Sequence, residues 1–185
     1  MTTKPVSSYI FIIYIIFILA LANGYLMAIA HPDQSRQSID QLFSGFGFAH
    51  DISTFQLFVY IFLNNSVKAF LVVLFGFFFG IVPIFFVFSN ANVIGLVLAV
   101  FGAREGFLKV VLSLLPHGIL EIPAILMASG YGLWLGVRFF RKLRYGEPFG
   151  EAFRFAMRKY FTVVFPLLLL AAFIEAYITT FLMRA

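Results

Sequence analysis

Long apolar stretches alternate with short polar ones along most of the chain. A helix that crosses a bilayer needs about 20 predominantly apolar residues, so this pattern predicts an all-α, polytopic transmembrane helix bundle. About five crossings are expected, at residues 8–30, 67–88, 93–115, 114–137 and 162–183. Residues 1–185 are therefore expected to form a single integral membrane domain.

Three interruptions in the apolar pattern set the predicted boundaries. Asn64 and Asn65 are expected to end an interfacial or tilted segment at 55–63, and residues 89–92 are expected to form a tight turn. Residues 102–106 contain two glycines, an arginine and a glutamate, and they interrupt the third crossing. Interrupted apolar pieces are typical of discontinuous helices at binding sites. A short tilted helix followed by an interfacial one explains the same pattern.

The composition fits a membrane protein. The chain is 62% hydrophobic and only 11% charged, with a mean hydropathy of +1.01, whereas soluble domains carry roughly 25% charged residues. Five crossings leave no room for a second soluble domain in 185 residues. Cysteine is absent, which excludes disulfides and thiol chemistry.

Charge is distributed unevenly between the polar segments. Residues 31–54 carry three aspartates against one arginine, whereas residues 138–159 carry seven basic residues against two acidic ones. Basic loops stay cytoplasmic, so we expect 138–159 to be a basic cytoplasmic loop and 31–54 an extracytoplasmic loop. Five crossings of the cell membrane then leave the N-terminus in the cytoplasm and the C-terminus outside.

The basic segment also has an amphipathic part. In residues 151–161, phenylalanines and a methionine interleave with arginines and a lysine, which predicts an interfacial amphipathic helix at the membrane surface. A nucleic-acid partner is not expected of so short and membrane-tethered a basic segment.

Polar residues inside the crossings are the candidate functional groups. His117 and Glu121 lie four residues apart, so a helix places both on one face, and Glu175 lies inside the last crossing. These three residues are candidate metal ligands for a divalent cation, a proton relay, or a hydrogen-bonded lock between helices. Four asparagines near predicted helix ends could contribute to the same polar cluster: Asn64, Asn65, Asn90 and Asn92.

Small residues form two candidate surfaces for helix packing. Gly76 and Gly80 follow the small-xxx-small pattern, which lets helix backbones approach closely. The face that includes Glu121 continues through a ladder of small residues: Ala124, Ala128, Gly132 and Gly136. Either surface is compatible with packing inside one chain or with self-association.

Familiar catalytic motifs are missing from the sequence. The run from His117 to Glu121 differs from the H-E-x-x-H helix, in which two histidines bind zinc. The chain contains no G-x-S-x-G motif, no P-loop and no G-x-G-x-x-G motif. An enzyme is therefore not the favoured class.

Several motifs resemble the stage II sporulation protein M family, over a stretch from about Phe55 to the C-terminus. The motifs are Asn64-Asn-Ser66, Ser89-Asn-Ala-Asn-Val-Ile-Gly95, Leu115-Pro-His-Gly-Ile-Leu-Glu-Ile-Pro-Ala124, Gly132-Leu-Trp-Leu-Gly136 and Glu175-Ala-Tyr-Ile178. The resemblance implies a multi-pass membrane protein of about five helices. The namesake anchors a complex of peptidoglycan-degrading enzymes in endospore formers, and many relatives occur in bacteria and archaea that do not sporulate.

Three functional hypotheses remain. The leading one is a non-enzymatic membrane scaffold or complex component, in which His117, Glu121 and Glu175 hold the helices together or bind a cation. The alternative is a small permease or transporter subunit, whose interrupted helices and carboxylates form a path. The third is an intramembrane metal-dependent hydrolase. Expected partners are the lipid bilayer, other membrane or envelope proteins, and a second copy of the chain.

Overall fold

The computed structural model describes residues 4–44 and 53–179. These residues are almost entirely helical, and no strand occurs among them, which confirms the predicted all-α class. The α-helices are α1 (Val6–Ala30), α2 (Pro32–Ser44), α3 (Thr54–Leu74), α4 (Ile81–Glu105), α5 (Phe107–Tyr145), α6 (Gly150–Lys159) and α7 (Phe165–Phe173). A 3-10 segment, Phe75–Phe77, extends α3, and two π-helical segments, Tyr160–Val164 and Ile174–Thr179, flank α7.

Among the described residues, five helical stretches are long and apolar enough to cross a membrane, in agreement with the predicted number. They are Val6–Ala30, Thr54–Phe77, Ile81–Glu105, Gly118–Tyr145 and Gly150–Tyr177. Large apolar side chains on their outer faces are exposed, for example Phe11 and Leu19 on α1 and Phe85 on α4. Such surfaces fit a lipid environment, because lipid tails are as apolar as these side chains.

Helix α5 lies at the centre of the bundle and packs against α1, α3, α4, α6 and α7. Its 39 residues correspond to about 58 Å at 1.5 Å per residue, roughly twice the hydrocarbon thickness of a bilayer. The ends of α5 therefore extend beyond the membrane core. Its buried residues include the small Ala124 and Ala128 and the aromatic Tyr131 and Trp134.

Helices α1 and α4 run in the same direction and pack closely. Ile13 shares a buried cluster with Val87, and Ala28 shares another with Val100. Near the middle of this pair the backbones nearly touch, because a Cβ atom at Gly24 would overlap the carbonyl oxygen of Asn92.

A sharp turn joins the second and third crossings. Phe79 and Gly80 have φ values of 53° and 74°, a left-handed conformation that glycine adopts without strain. The apolar pattern had predicted that Gly76 and Gly80 lie inside one crossing at 67–88. In the structure they lie at this turn instead, so that prediction was wrong. The second crossing consequently ends at Phe77 and the third begins at Ile81.

Two predicted helix breaks were wrong because asparagine side chains find partners without interrupting a helix. α3 continues through Asn64 and Asn65, so residues 55–63 belong to the second crossing. α4 continues through the predicted turn at 89–92. Within it, the side-chain amide of Asn90 donates 2.7 Å to the Phe86 carbonyl oxygen one turn earlier.

The interruption at 102–106 has a different place in the fold from the one predicted. α4 ends at Glu105, Gly106 has a φ of 97°, and α5 begins at Phe107. The break therefore separates the third crossing from the fourth. Residues 107–115 form the first turns of α5, so the predicted third crossing at 93–115 was wrong in its bounds.

Both charged segments are more helical than the sequence indicated. Part of the acidic segment 31–54 forms α2, and its Ile39 is buried against Ala28 and Val100. In the basic segment 138–159, α5 runs on to Tyr145 and α6 follows after four residues. α6 packs Ala152 and Ala156 against α5, and its position at the membrane surface stays a prediction.

Candidate functional site

A polar contact joins α3 and α5 inside the bundle. The side-chain amide of Asn65 donates a hydrogen bond of 2.6 Å to Oε2 of Glu121. Glu121 is 8% exposed, and Asn65 in turn accepts a bond of 3.3 Å from the side chain of Asn64. An intramembrane carboxylate is costly without a partner, so this contact satisfies the most demanding polar group on α5.

A small cavity adjoins Glu121 on its other side. Its volume is about 130 Å³, and Asn90 and Glu121 are its polar lining residues among apolar neighbours such as Phe17, Ile94 and Leu126. Asn90 of α4 and Glu121 of α5 therefore face one space. A cavity of this size, with a carboxylate and an amide in its wall, holds a few water molecules or one small cation.

Asn92 lies away from this cavity, at the contact between α1 and α4. Its Oδ1 accepts a bond of 3.2 Å from the side-chain amide of Asn23. Its own Nδ2 is buried and has no hydrogen-bond acceptor in the described part of the chain. The four asparagines of the predicted cluster therefore divide into two groups, with Asn64, Asn65 and Asn90 near Glu121 and Asn92 beside α1.

The structure describes the other two predicted metal ligands, His117 and Glu175, only in part. His117 lies on α5 one turn before Glu121, and its side chain is outside the described residues. Glu175 is half-buried in the π-helical segment Ile174–Thr179, which packs against both α3 and α5. Within the described residues, no three acidic, histidine or cysteine side chains converge as a metal-binding group.

The small residues of both predicted surfaces meet each other within the chain. Gly76 lies against the backbone of Gly132, and Gly136 lies against Gly80 at the sharp turn, so closely that any added Cβ would overlap. Ala124 and Ala128 are fully buried beside Ala69 of α3. These faces pack on each other inside the chain and bring the turn between the second and third crossings onto α5; self-association stays a prediction.

A second polar region lies where α5 and α6 meet. An open groove of about 760 Å³ is lined by Trp134, Arg138, Glu151, Ala152, Arg154, Phe155 and Arg158; we call it the arginine groove. The guanidinium carbon of Arg138 lies 5.4 Å from the centre of the Trp134 ring, within the range of a cation–π contact. Its Nη1 is 3.8 Å from Oε2 of Glu147.

Glu147 anchors the short connection between α5 and α6. Nε of Arg141 donates 2.7 Å to Oε2 of Glu147, and Nη2 of Arg141 donates to Oε1. These hydrogen bonds, with the charges of Arg141 and Arg138, lower the pKa of the Glu147 carboxyl group. The connection is thus fixed by a two-pronged ion pair.

Three features of the structure were not predicted from the sequence. The buried hydroxyl of Tyr160 donates 2.7 Å to the Ser66 carbonyl oxygen, which ties the last crossing to α3. Asn23 was overlooked inside an apolar run. The arginine groove had a detectable signal, since Arg154 and Arg158 lie four residues apart on one helix, as do Trp134 and Arg138.

In the described part of the chain, four apolar crossings pack around a fifth, the central helix α5, and a hydrogen bond joins Glu121 of α5 to a neighbouring crossing. This arrangement defines a polytopic helical membrane protein. The family model described as Stage II sporulation protein M matches residues 9–180. The chain therefore belongs to the stage II sporulation protein M family. The matched region includes almost all of α1, so the expectation that the resemblance begins near Phe55 was wrong. No curated protein matches the chain, and no solved structure matches it.

Proposed function

We propose that this protein is a non-enzymatic membrane scaffold, which holds partner proteins of the membrane or envelope at the cell membrane. In this proposal Glu121 serves the bundle itself: it joins α5 to α3 so that the crossings form one rigid unit. The resemblance to the namesake, which anchors a complex of enzymes, points in the same direction.

The observation that carries the proposal is the hydrogen bond from Asn65 to Glu121. A scaffold needs a fixed shape, and a buried, hydrogen-bonded polar contact between two helices favours one arrangement of helices over others. Two close glycine contacts, Gly76 with Gly132 and Gly80 with Gly136, support the same rigidity. The contact between Asn65 and Glu121 is thus used between helices.

The orientation is part of the proposal. With the basic segment 138–159 in the cytoplasm, α2 lies on the extracytoplasmic side of the membrane and the turn at Gly80 lies on the cytoplasmic side. Partners would then reach the protein from the membrane plane along the exposed apolar faces, or from the cytoplasm at the ends of α5 and α6.

The proposal is tested by cross-linking in intact cells, followed by purification of the tagged protein and quantitative mass spectrometry. Wild type is compared with Glu121→Gln, which keeps an acceptor for Asn65, and with Glu121→Leu, which does not. We expect the same cross-linked partners for wild type and Glu121→Gln, each recovered when the partner is tagged instead. An equally expressed unrelated membrane protein is the control. Absence of a reciprocal partner, or loss of partners in a stable Glu121→Gln protein, would contradict the proposal.

One observation favours a second candidate, a small permease or ion-transporting subunit. The cavity beside Glu121 and Asn90 lies among crossings, and a carboxylate facing such a cavity is suited to bind a small cation or a proton. This candidate predicts ion or proton flux in proteoliposomes that Glu121→Gln abolishes, and, for a metal, a stoichiometric ion in the purified protein. The scaffold proposal expects neither.

A further inference from the structure

We propose that the arginine groove binds the phosphate of an anionic lipid headgroup. The groove brings together three guanidinium groups from two helices, Arg138 of α5 and Arg154 and Arg158 of α6, against one carboxylate, Glu151. Guanidinium groups present several N–H donors in a plane and match phosphate oxygens two at a time. The net positive lining therefore selects an anion with several acceptor oxygens.

The three arginines have unused hydrogen-bonding capacity. Arg154 and Arg158 are exposed and make no ion pair within the described part of the chain. Nε of Arg138 is buried and has no acceptor among the described residues, while its ring contact with Trp134 and its proximity to Glu147 hold the side chain in place. One wall of the groove is therefore fixed, and the other consists of two guanidinium groups free to close on a ligand.

The location of the groove points to a lipid as the source of the phosphate. Its residues belong to the apolar stretches Gly118–Tyr145 and Gly150–Tyr177, near the ends that these stretches share. Trp134 and Phe155 form its apolar floor, with ring centres 5.5 Å apart. Tryptophan beside basic residues is typical of the membrane interface, and basic pockets between helices at that depth bind anionic headgroups.

The groove carries its own spectroscopic probe, because Trp134 is the single tryptophan of the chain. The full-length protein is reconstituted in phosphatidylcholine vesicles that contain rising mole fractions of phosphatidylglycerol with brominated acyl chains. Matched vesicles contain brominated phosphatidylcholine instead. Bromine quenches the fluorescence of a nearby tryptophan, so the two series compare the occupancy of the groove by the two headgroups.

We expect phosphatidylglycerol to be preferred roughly fivefold or more, since each basic residue near the surface contributes about a fivefold gain for an anionic lipid. Arg154→Gln/Arg158→Gln is expected to abolish the preference. The control Lys142→Gln/Arg144→Gln removes the same charge from exposed side chains outside the groove and is expected to retain it.

Three results would overturn the proposal. Equal quenching by the two brominated lipids would show that the groove does not select an anion. An equal loss of the preference in the Lys142→Gln/Arg144→Gln control would show that general surface charge, without the groove, is sufficient to attract the anionic lipid. Loss of the preference on adding millimolar inorganic phosphate at constant ionic strength would show that the groove takes free phosphate in preference to a lipid headgroup. This test is independent of partner binding, so it can succeed or fail separately from the scaffold proposal.

Discussion

Gly95 on α4 lies directly against Leu21 on α1, so closely that a methyl group at residue 95 would overlap the carbonyl oxygen of Leu21. The same helix pair brings Gly24 against the backbone of Asn92. Backbone atoms cannot rotate away as side chains do, so these two glycines set the distance between the first and third crossings. In lipid, where helices associate mainly by close packing, this distance matters for stability.

We expect Gly95→Ala to destabilise the protein by about 1–3 kcal/mol, the usual cost of overpacking a close contact. Thermal unfolding of the detergent-purified protein measures the effect. Gly150→Ala is the matched control, because no atom lies within 4 Å of a Cβ at that position. Equal melting temperatures for the two variants would show that α1 and α4 are not held at this distance.

The hydrogen bond from the Tyr160 hydroxyl to the Ser66 carbonyl oxygen is also expected to contribute measurably to the stability of the fold. We expect Tyr160→Phe to lose about 0.5–1.5 kcal/mol of stability, since it removes one intramolecular hydrogen bond and preserves the ring. Tyr177→Phe serves as the control, because the Tyr177 ring is 38% exposed and stacks on Phe173. A control variant that is as unstable as Tyr160→Phe would contradict this role.

The ion pair between Arg141 and Glu147 predicts a pH dependence. Its hydrogen bonds lower the pKa of Glu147 in the folded protein below the ordinary value of 4.5. The pair therefore stabilises the fold above about pH 4.5, and this contribution is lost as the pH falls through the lower, folded-state pKa. We expect the melting temperature of wild type to fall more steeply in this acid range than that of Glu147→Gln. Parallel curves for the two proteins would contradict the assignment.

The orientation can be measured directly because the chain has no cysteine. Single cysteines are introduced at Ser38 on α2 and Tyr145 at the end of α5, both of which are exposed. With the basic segment in the cytoplasm, a membrane-impermeant maleimide labels residue 38 in intact cells and residue 145 only after permeabilisation. The reverse labelling pattern would show that the protein has the opposite orientation in the membrane and would contradict the proposed one.

The sequence predicted the number of crossings better than their boundaries. Apolar stretches of about 20 residues identify crossings because backbone polar groups must be satisfied inside lipid. The asparagines at 64, 65 and 90 resembled helix breaks, but their amides bond to Glu121, to each other or to a preceding carbonyl. Those partners depend on tertiary packing or local geometry that the hydropathy pattern does not contain.

In the candidate sites, too, single residues could be predicted from the sequence but their partners could not. Glu121 was identifiable as an intramembrane carboxylate, whereas its partner Asn65, 56 residues away, could be named only as a member of a polar group. The arginine groove was not predicted, because Arg138 meets Arg154 and Arg158 only after the chain reverses at Gly146, whose φ is 70°. Charge counting had treated all of these arginines alike.

The central claim is that Glu121 stabilises the bundle through Asn65. A double-mutant cycle tests it most directly, with melting of wild type, Asn65→Leu, Glu121→Leu and the double variant in one detergent. We expect each single variant to lose about 1–3 kcal/mol, because a buried polar group is left without its partner. The double variant should lose clearly less than the two single losses combined. Additive losses would contradict the claim, since independent sites add and coupled ones do not.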